Sequence, residues 1–351
     1  MTFRLAQIFS DSNSPVRAKL FGIYGLLISI NVLAWVWALA AFRDHPILLG
    51  TALLAYGFGL RHAVDADHIA AIDNVTRKLM QEKKRPVAVG LFFSLGHSTV
   101  VVLASIGVAL TTSAMKESFE GYKDIGGVIG TSVSALFLFV IALMNLIILK
   151  SIYKAWRHVR QRGTYVEDDF DMLLADRGFL ARIFRPLFRL ITRSWHMFPM
   201  GFLFGLGFDT ATEIALLGIS ASQASQGLSP WTIMVFPILF SAGMSLVDTL
   251  DGHLMLGAYG WAYMKPIRKI YYNMTITLVS VVVAVVIGSI EALGLISDKL
   301  AMQGPVWEVI GKLNDNFGTL GYIIIGIFIA SWAISVILYR VKGFDALEVK
   351  R

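Results

Sequence analysis

Residues 61–69 read R-H-A-V-D-A-D-H-I and place one arginine, two histidines and two aspartates within nine residues. Apolar sequence surrounds them, at 46–60 on one side and at 69–72 on the other. A charged group near the centre of a bilayer costs about 2.5–3.5 kcal/mol on insertion scales, so this cluster needs a compensating role. Imidazole together with carboxylate is a ligand set for divalent first-row transition metals. The stretch therefore predicts a metal site within a membrane-spanning segment.

The composition of the chain indicates a polytopic membrane protein. Of the 351 residues, 56% are hydrophobic and 16% are charged, which excludes an ordinary soluble domain. The chain has no cysteine, so disulfides and thiolate metal ligands are excluded. We predict an all-α fold with eight transmembrane helices, because eight apolar segments are long enough to span a bilayer: 19–42, 46–74, 87–112, 127–149, 197–220, 231–257, 271–296 and 318–340.

The distribution of positive charge predicts the orientation of the chain. If the N-terminus lies in the cytoplasm, 25 of the 31 Lys and Arg residues fall in inner loops and tails, and five fall in outer loops. The remaining one, Arg61, lies within a span. This split follows the positive-inside rule and predicts that both termini are cytoplasmic. The net charge of +7 therefore reports membrane topology and indicates no nucleic-acid partner.

The predicted spans divide the chain into three parts. These are an N-terminal membrane half at 1–149, a cytoplasmic loop at 150–196 and a C-terminal membrane half at 197–351. The loop begins basic, turns acidic at 167–171 and becomes arginine-rich at 177–193. Its last part alternates arginine with apolar residues, which predicts an amphipathic helix on the inner membrane surface. Solvated charge is the favoured interpretation of the acidic run, and capture of incoming metal is the alternative.

An internal repeat relates the second and third spans to the fifth and sixth. D-A-D-H-I-A at 65–70 aligns with T-A-T-E-I-A at 210–215, and F-S-L-G-H-S at 93–98 aligns with F-S-A-G-M-S at 240–245. The two offsets, 145 and 147 residues, nearly agree. The partners would cross the membrane in opposite directions, because the spans of each pair are three apart. Inverted repeats with polar residues at mid-membrane are typical of transporters, whose substrate binds between the repeats.

Packing of small residues at helix interfaces is the alternative explanation of this repeat, and it accounts for the glycines and serines. It does not account for the alignment of His68 with Glu213 or of His97 with Met244, since each of these side chains can bind a metal. Taken singly, His97 and Met244 could both be ordinary core residues. Their alignment favours ligand roles.

Ionisable side chains within the spans form the predicted metal site. Asp73 and Glu291 lie near span ends, so we expect them at the membrane interface, and Asp251 and His253 are weaker candidates. A mixed nitrogen and oxygen ligand set suits Ni²⁺, Co²⁺ or Zn²⁺ better than Mg²⁺ or Ca²⁺. The predicted ligands are His62, Asp65, Asp67 and His68 in the second span, His97 in the third, Asp209 and Glu213 in the fifth, and Met244 and Asp248 in the sixth.

Helix geometry leaves two alternatives open in the second span. On an unbroken helix His62 and His68 would point about 120° apart, and Asp67 would point nearly opposite. Either the helix unwinds here, as is common at transporter midplane sites, or Asp67 has another role. An ion pair between Arg61 and Asp65, four residues apart, is the alternative role for those two residues.

These motifs together resemble the nickel/cobalt transporter (NiCoT) family of secondary permeases, and the similarity is greatest to high-affinity nickel permeases of bacteria that make hydrogenase or urease. The resemblance covers nearly the whole chain and implies eight spans, a bacterial cytoplasmic (inner) membrane location and uptake of Ni²⁺, sometimes Co²⁺, without ATP. It also implies that His62, Asp67 and His68 are essential. The motifs that carry it are R-H-A-V-D-A-D-H at 61–68, L-G-H-S-T-V-V at 95–101, L-G-F-D-T-A-T-E at 206–213 and G-M-S-L-V-D-T at 243–249.

We therefore predict a high-affinity importer of Ni²⁺, with Co²⁺ as a further candidate substrate, that works by alternating access in the lipid bilayer. The metal is a transported substrate, no cofactor is expected, and hydrogenase or urease would be indirect downstream partners. No G-x4-G-K-[ST] motif occurs, so no ATPase function is indicated. An intramembrane metalloprotease would need H-E-x-x-H, which is also absent, so we expect no enzyme. A metal exporter is the alternative function, because it would need the same chemistry.

Overall fold

The computed structural model describes residues 9–11, 16–110, 116–162, 191–206, 211–262 and 266–341. All regular secondary structure in these ranges is helical, which confirms the predicted all-α class for the described part of the chain. A short 3₁₀ helix at Ser194–His196 precedes the second membrane half. The α-helices are α1 Val16–Phe42, α2 Pro46–His62, α3 Ala66–Gln81, α4 Val89–Leu110, α5 Lys116–Arg162, α6 Met197–Gly205, α7 Ala211–Ser225, α8 Pro230–Ile233, α9 Val235–Ala262, α10 Pro266–Lys299, α11 Pro305–Asn314 and α12 Phe317–Val341.

The described helices supply five to seven candidate membrane spans. Two bent pairs are apolar and long enough only when taken together: α2 with α3, bent by 49°, and α11 with the first part of α12, bent by 76°. The predicted fifth span, 197–220, corresponds to the short helices α6 and α7, so the number eight stays a prediction. Five single segments pass the same test: Val16–Phe42, Val89–Leu110, Gly127–Lys154, Pro230–Gly260 and Met274–Lys299.

The second span is broken in the middle of the decisive stretch. Helix α2 ends at His62, and α3 begins at Ala66. Asp65 precedes α3 with extended backbone dihedrals (φ −65°, ψ 148°), as N-cap residues usually have, but its side chain makes no capping hydrogen bond. The first of the two alternatives is therefore correct, because the helix does unwind between the two histidines.

Glycines bring the helices around this break into backbone contact. A Cβ atom added at Gly59 of α2 would lie 2.0 Å from the carbonyl oxygen of Phe240 in α9, and one added at Gly96 of α4 would lie 1.9 Å from the backbone of α6. At the break, a Cβ at Gly321 of α12 would lie 1.5 Å from the carbonyl oxygen of Val64. Small residues permit such close crossings in membrane proteins. The break is thus held by tight helix crossings.

We expect Gly59→Ala to lower the melting temperature of the detergent-purified protein by several degrees, because the crossing of α2 and α9 has no room for a methyl group. Overpacking of this kind costs about 1–3 kcal/mol. Gly57→Ala is the matched control. Gly57 lies on the same helix, and a Cβ added there would meet nothing within 4 Å. Equal melting temperatures for the two variants would contradict the crossing described here.

Two carboxylates that we predicted at the membrane interface are buried instead. Asp73 is fully buried and accepts hydrogen bonds from the hydroxyls of Tyr259 and Ser280. Glu291 is buried as well and accepts a hydrogen bond from Ser134 at 2.9 Å. Neighbouring helices enclose both residues and supply hydroxyl donors, so neither carboxylate is exposed as we expected for a residue at the membrane interface.

Segments from three parts of the chain meet at the end of α3. Lys78 donates from Nζ to the carbonyl oxygen of Ile191 at 2.6 Å, and Lys84 donates to that of Thr192 at 2.7 Å. The backbone nitrogen of Ser194 donates to the carboxylate of Asp11 at 2.8 Å. Three segments that we predicted to be cytoplasmic therefore lie together at the end of α3. The predicted inner loop, 77–86, begins later than expected, because Arg77 and Lys78, which we counted among its basic residues, are buried in α3. The acidic run predicted at 167–171, and all but the last residues of the predicted amphipathic helix, lie outside the described residues.

Candidate metal centre

Three histidines from two spans converge at the break. His62 is the last residue of α2, His68 lies in the first turn of α3, and His97 lies in α4. Their ring centroids are 4.6 to 4.9 Å apart, and all three side chains are buried. One ring nitrogen from each can be chosen so that the three lie within 4.8 Å of one another. The bend brings together two rings that an unbroken helix would have separated.

Glu213 of α7 completes a compact set of donor atoms with two of these histidines. Nε2 of His97 lies 3.0 Å from Nε2 of His62 and 2.8 Å from Oε1 of Glu213, and the His62 to Glu213 separation is 3.8 Å. The circle through three atoms at these separations has a radius of about 1.9 Å, and imidazole or carboxylate binds a first-row dication at about 2.0–2.2 Å. One ion slightly out of their plane can therefore contact all three atoms.

Two aspartates orient the two histidines of the broken span. Oδ2 of Asp65 lies 2.8 Å from Nδ1 of His62, and Oδ1 of Asp248 in α9 lies 3.1 Å from Nδ1 of His68. When the carboxylate accepts a hydrogen bond from Nδ1–H, the Nε2 lone pair of the same ring is left for a metal. Nε2 of His68 is buried and has no hydrogen-bond partner. This carboxylate–histidine arrangement is typical of protein metal sites.

The remaining predicted ligands have different surroundings. Asp67 lies in the first turn of α3, and its side chain is half-buried. Met244 is fully buried in a hydrophobic cluster that also contains Phe240. Asp209 lies outside the described residues. The ligand roles of these three predicted residues stay predictions.

The ion pair between Arg61 and Asp65, the alternative role for these two described residues, is not formed in the structure, although their side chains lie near one another. A Cβ added at Gly318 of α12 would lie 3.2 Å from Nε of Arg61 and 3.2 Å from Oδ1 of Asp65, so both side chains reach the same glycine. The other oxygen of Asp65 contacts His62. Arg61 is exposed. Asp65 therefore orients a histidine while it lies close to the arginine.

Two aromatic rings at the centre were not predicted from the sequence. The ring of Phe93 lies 4.8 Å from that of His68, and the ring of Phe240 lies 5.5 Å from that of His62. Each phenylalanine is the first residue of one of the two aligned repeat motifs, so the alignment contained the signal that could have found them. Apolar rings lower the local dielectric, which strengthens the attraction between the carboxylates and a cation.

Comparison with known proteins identifies the family. A model of the NicO family, described as high-affinity nickel-transport protein, matches residues 48–338. The chain belongs to this nickel-transport family. It is 61% identical over 346 residues to the high-affinity nickel transport protein of Cupriavidus necator, an alignment that covers 99% of each chain. No solved structure matches.

Two further relatives of this nickel-transport family differ in the function that their names state. The hydrogenase nickel incorporation protein HupN of Bradyrhizobium diazoefficiens is 54% identical, over 91% of this chain and 83% of its own. The cobalt transport protein NhlF of Rhodococcus rhodochrous is 38% identical, over 93% of this chain and 94% of its own. The predicted family is confirmed, and it is a multi-pass membrane family of permeases and not of enzymes.

Proposed function

We propose that this chain imports Ni²⁺, with Co²⁺ as a further candidate, across the cytoplasmic membrane of a bacterium as a secondary permease. The observation that carries the proposal is the buried set of His62, His68, His97 and Glu213 at a break between apolar helices. Imidazole suits first-row transition metals, whereas Mg²⁺ and Ca²⁺ prefer oxygen ligands. Membership of a nickel-transport family supports the same substrate.

In the proposed site, Nε2 of His62, His68 and His97 and the carboxylate of Glu213 bind the ion. Asp65 and Asp248 then act as positioning residues, because each contacts the Nδ1 atom of a histidine. Their negative charges also offset the charge of the dication. Asp67, Asp209 and Met244 are further candidate ligands that would bind when the centre rearranges during transport.

Import along the membrane potential needs no ATP. Inward movement of a dication gains about 4.6 kcal/mol per 100 mV, which corresponds to a gradient of roughly 2000-fold. The mechanism that we propose is alternating access, in which the two repeats move around the histidine centre. The nearly equal offsets of the two aligned motif pairs, 145 and 147 residues, support eight spans with an inverted repeat.

The proposed topology places both termini, the loop at 150–196 and a connector at 82–86 in the cytoplasm, and the membrane halves are 1–149 and 197–351. The connector is the part of the predicted 77–86 loop that follows α3. Hydrogen bonds that join the N-terminal segment, the connector and the end of the loop support one common side for these segments. Hydrogenase or urease would use the imported nickel. The name of the Bradyrhizobium relative, a hydrogenase nickel incorporation protein, is compatible with such a partner.

Accumulation of radiolabelled Ni²⁺ at nanomolar concentration in cells that express the chain tests this function. We expect accumulation above that of control cells, with unlabelled Ni²⁺ as the strongest competitor, Co²⁺ next, and Mn²⁺ the weakest. A protonophore should reduce accumulation, because it collapses the membrane potential. Cells that hold less nickel than the controls would instead indicate the exporter alternative.

Replacement of Asp248 by asparagine should weaken Ni²⁺ binding about 10- to 100-fold, the usual effect of removing the carboxylate behind a metal-binding histidine. His68 would then lose the partner that fixes its tautomer. Equilibrium binding of radiolabelled Ni²⁺ to purified protein measures the change. The exposed Asp298→Asn is the control and should bind like the unmodified protein. Equal affinities for the two variants would contradict the orienting role.

A further inference from the structure

Buried acidic side chains connect the histidine centre to one arginine. Asp248, which contacts His68, and Asp251 lie three residues apart on one face of α9. Oδ2 of Asp251 is buried without a hydrogen-bond partner. The α9 backbone at the next residue, Gly252, lies against α3, because a Cβ added there would lie 3.5 Å from Cγ2 of Ile72, the residue before Asp73. Arg77 follows Asp73 by four residues, about one turn along α3. We call Asp248, Asp251 and Asp73 the acidic track.

Arg77, at the end of the acidic track, is a buried cation that no carboxylate of the described residues contacts directly. It is 0% exposed, and Nη2 donates to Oδ1 of Asn74 at 2.8 Å. Asn145 of α5 donates to the same oxygen, which tethers the arrangement to a second helix. Nε and Nη1 of Arg77 have no hydrogen-bond partner, and the guanidinium forms no ion pair with a carboxylate of the described residues.

Asp73 does not neutralise this charge by direct contact. Its two carboxylate oxygens accept hydrogen bonds from the hydroxyls of Tyr259 in α9 and Ser280 in α10. Hydrogen bonds to Asp73 and Asn74 thus join α9, α10 and α5 to α3 within one turn of Arg77. A neutral side chain would fill the same space without the desolvation cost of a buried charge, so packing alone does not explain an arginine here.

A full positive charge at the end of an acidic track opposes the passage of a dication. Ionised carboxylates would attract a dication away from the histidines, and the guanidinium would repel it before it reached the end of α3. Ionisable residues inside membrane proteins generally face substrate pathways. Arg77 lies five residues before the basic connector at 82–86, so a modest movement would bring its charge to the membrane surface.

We propose that Arg77 is an electrostatic gate between the histidine centre and the side of the connector, and that the ion leaves along the acidic track only when the guanidinium withdraws. This inference rests on the proposed function. The gate closes while Asn74 and Asn145 hold the guanidinium in place. Asp73 lowers the electrostatic barrier to the passage of the ion, because its negative charge partly offsets that of Arg77.

Release of radiolabelled Ni²⁺ from preloaded proteoliposomes tests the gate through effects of opposite sign. Arg77→Gln should speed release about tenfold, because the repulsive charge is gone. Asp73→Asn should slow it about tenfold, because the same charge is then less offset. Asn145→Ala, which loosens the tether without changing any charge, should speed release, and Arg77→Lys should stay close to the unmodified protein.

The exposed Arg85→Gln is the matched control and should release Ni²⁺ at the unmodified rate. Equilibrium Ni²⁺ binding in detergent should be the same within about twofold for Arg77→Gln and the unmodified protein, because the histidine centre is intact. Slower release by both Arg77→Gln and Asp73→Asn, or an unchanged rate in Arg77→Gln, would overturn the gate and leave Arg77 a structural residue. An unmodified protein that neither binds nor moves Ni²⁺ would instead refute the proposed function.

Discussion

We expect uptake of Ni²⁺ to fall to the level of cells without the chain when His68 is replaced by alanine. His68 offers a buried Nε2 atom at the centre and is oriented by Asp248 at 3.1 Å. Alanine removes this ligand and leaves the buried carboxylate of Asp248 without its partner. A buried carboxylate that loses its partner costs several kcal/mol. The loss of a metal ligand weakens Ni²⁺ binding in addition. Radiolabelled Ni²⁺ uptake at equal membrane protein level measures the loss.

His45→Ala provides the matched control for this prediction. His45 is an exposed histidine immediately before α2, and its side chain makes no capping hydrogen bond. We expect its replacement to leave uptake unchanged. Near-normal uptake by His68→Ala at equal protein level would remove this residue from the site.

Glu213→Gln should reduce Ni²⁺ affinity by at least about a hundredfold, since breaking a buried charged pair costs about 3–5 kcal/mol. Glutamine keeps the shape of the side chain and can still offer an amide oxygen. It removes the negative charge that lies 2.8 Å from His97 and would stabilise the bound dication. Equilibrium binding to the purified protein measures this loss directly.

The control for Glu213→Gln is the same substitution at Glu308, an exposed residue in the first turn of α11. It should bind Ni²⁺ like the unmodified protein. An affinity loss below about threefold in Glu213→Gln would show that the carboxylate does not contact the ion, because a direct ligand is worth much more.

The helices could be predicted from the sequence because lipid-facing surfaces need continuous apolar runs. The break in the second span was predictable only as one of two alternatives. Helix periodicity showed that His62 and His68 could not share an ion on an unbroken helix, but it could not show where the backbone unwinds. The crossing of Gly321 at Val64, which holds the break in place, joins residues from opposite ends of the chain.

The polar interior was harder to predict, because polar residues that other helices enclose do not form an apolar run in the sequence. Residues 73–78 of α3 are charged or polar in most positions, so the predicted span ended at 74, although α3 stays buried as far as Met80. Asp73 was accordingly placed at the interface. The pairing of His68 with Asp248 joins residues 180 positions apart, a separation that no local spacing rule can predict.

The repeat alignment predicted more of the centre than single motifs did. It paired His68 with Glu213 and His97 with Met244, and three of these four residues contribute to the cluster of histidines and carboxylates. Met244 lies within a hydrophobic cluster. This position agrees with the alternative role of Met244, which was ordinary core packing. Small differences in side-chain direction decide between these roles, and they depend on the tertiary packing of α9.

X-ray absorption at the nickel K-edge of the purified, Ni²⁺-loaded protein shows directly whether imidazoles bind the ion. We expect a shell of nitrogen and oxygen ligands with the outer scattering of two or three imidazoles, and loss of one imidazole in His68→Ala. A sulfur shell would assign Met244 as a ligand in this state. A spectrum without imidazole scattering would contradict the histidine centre.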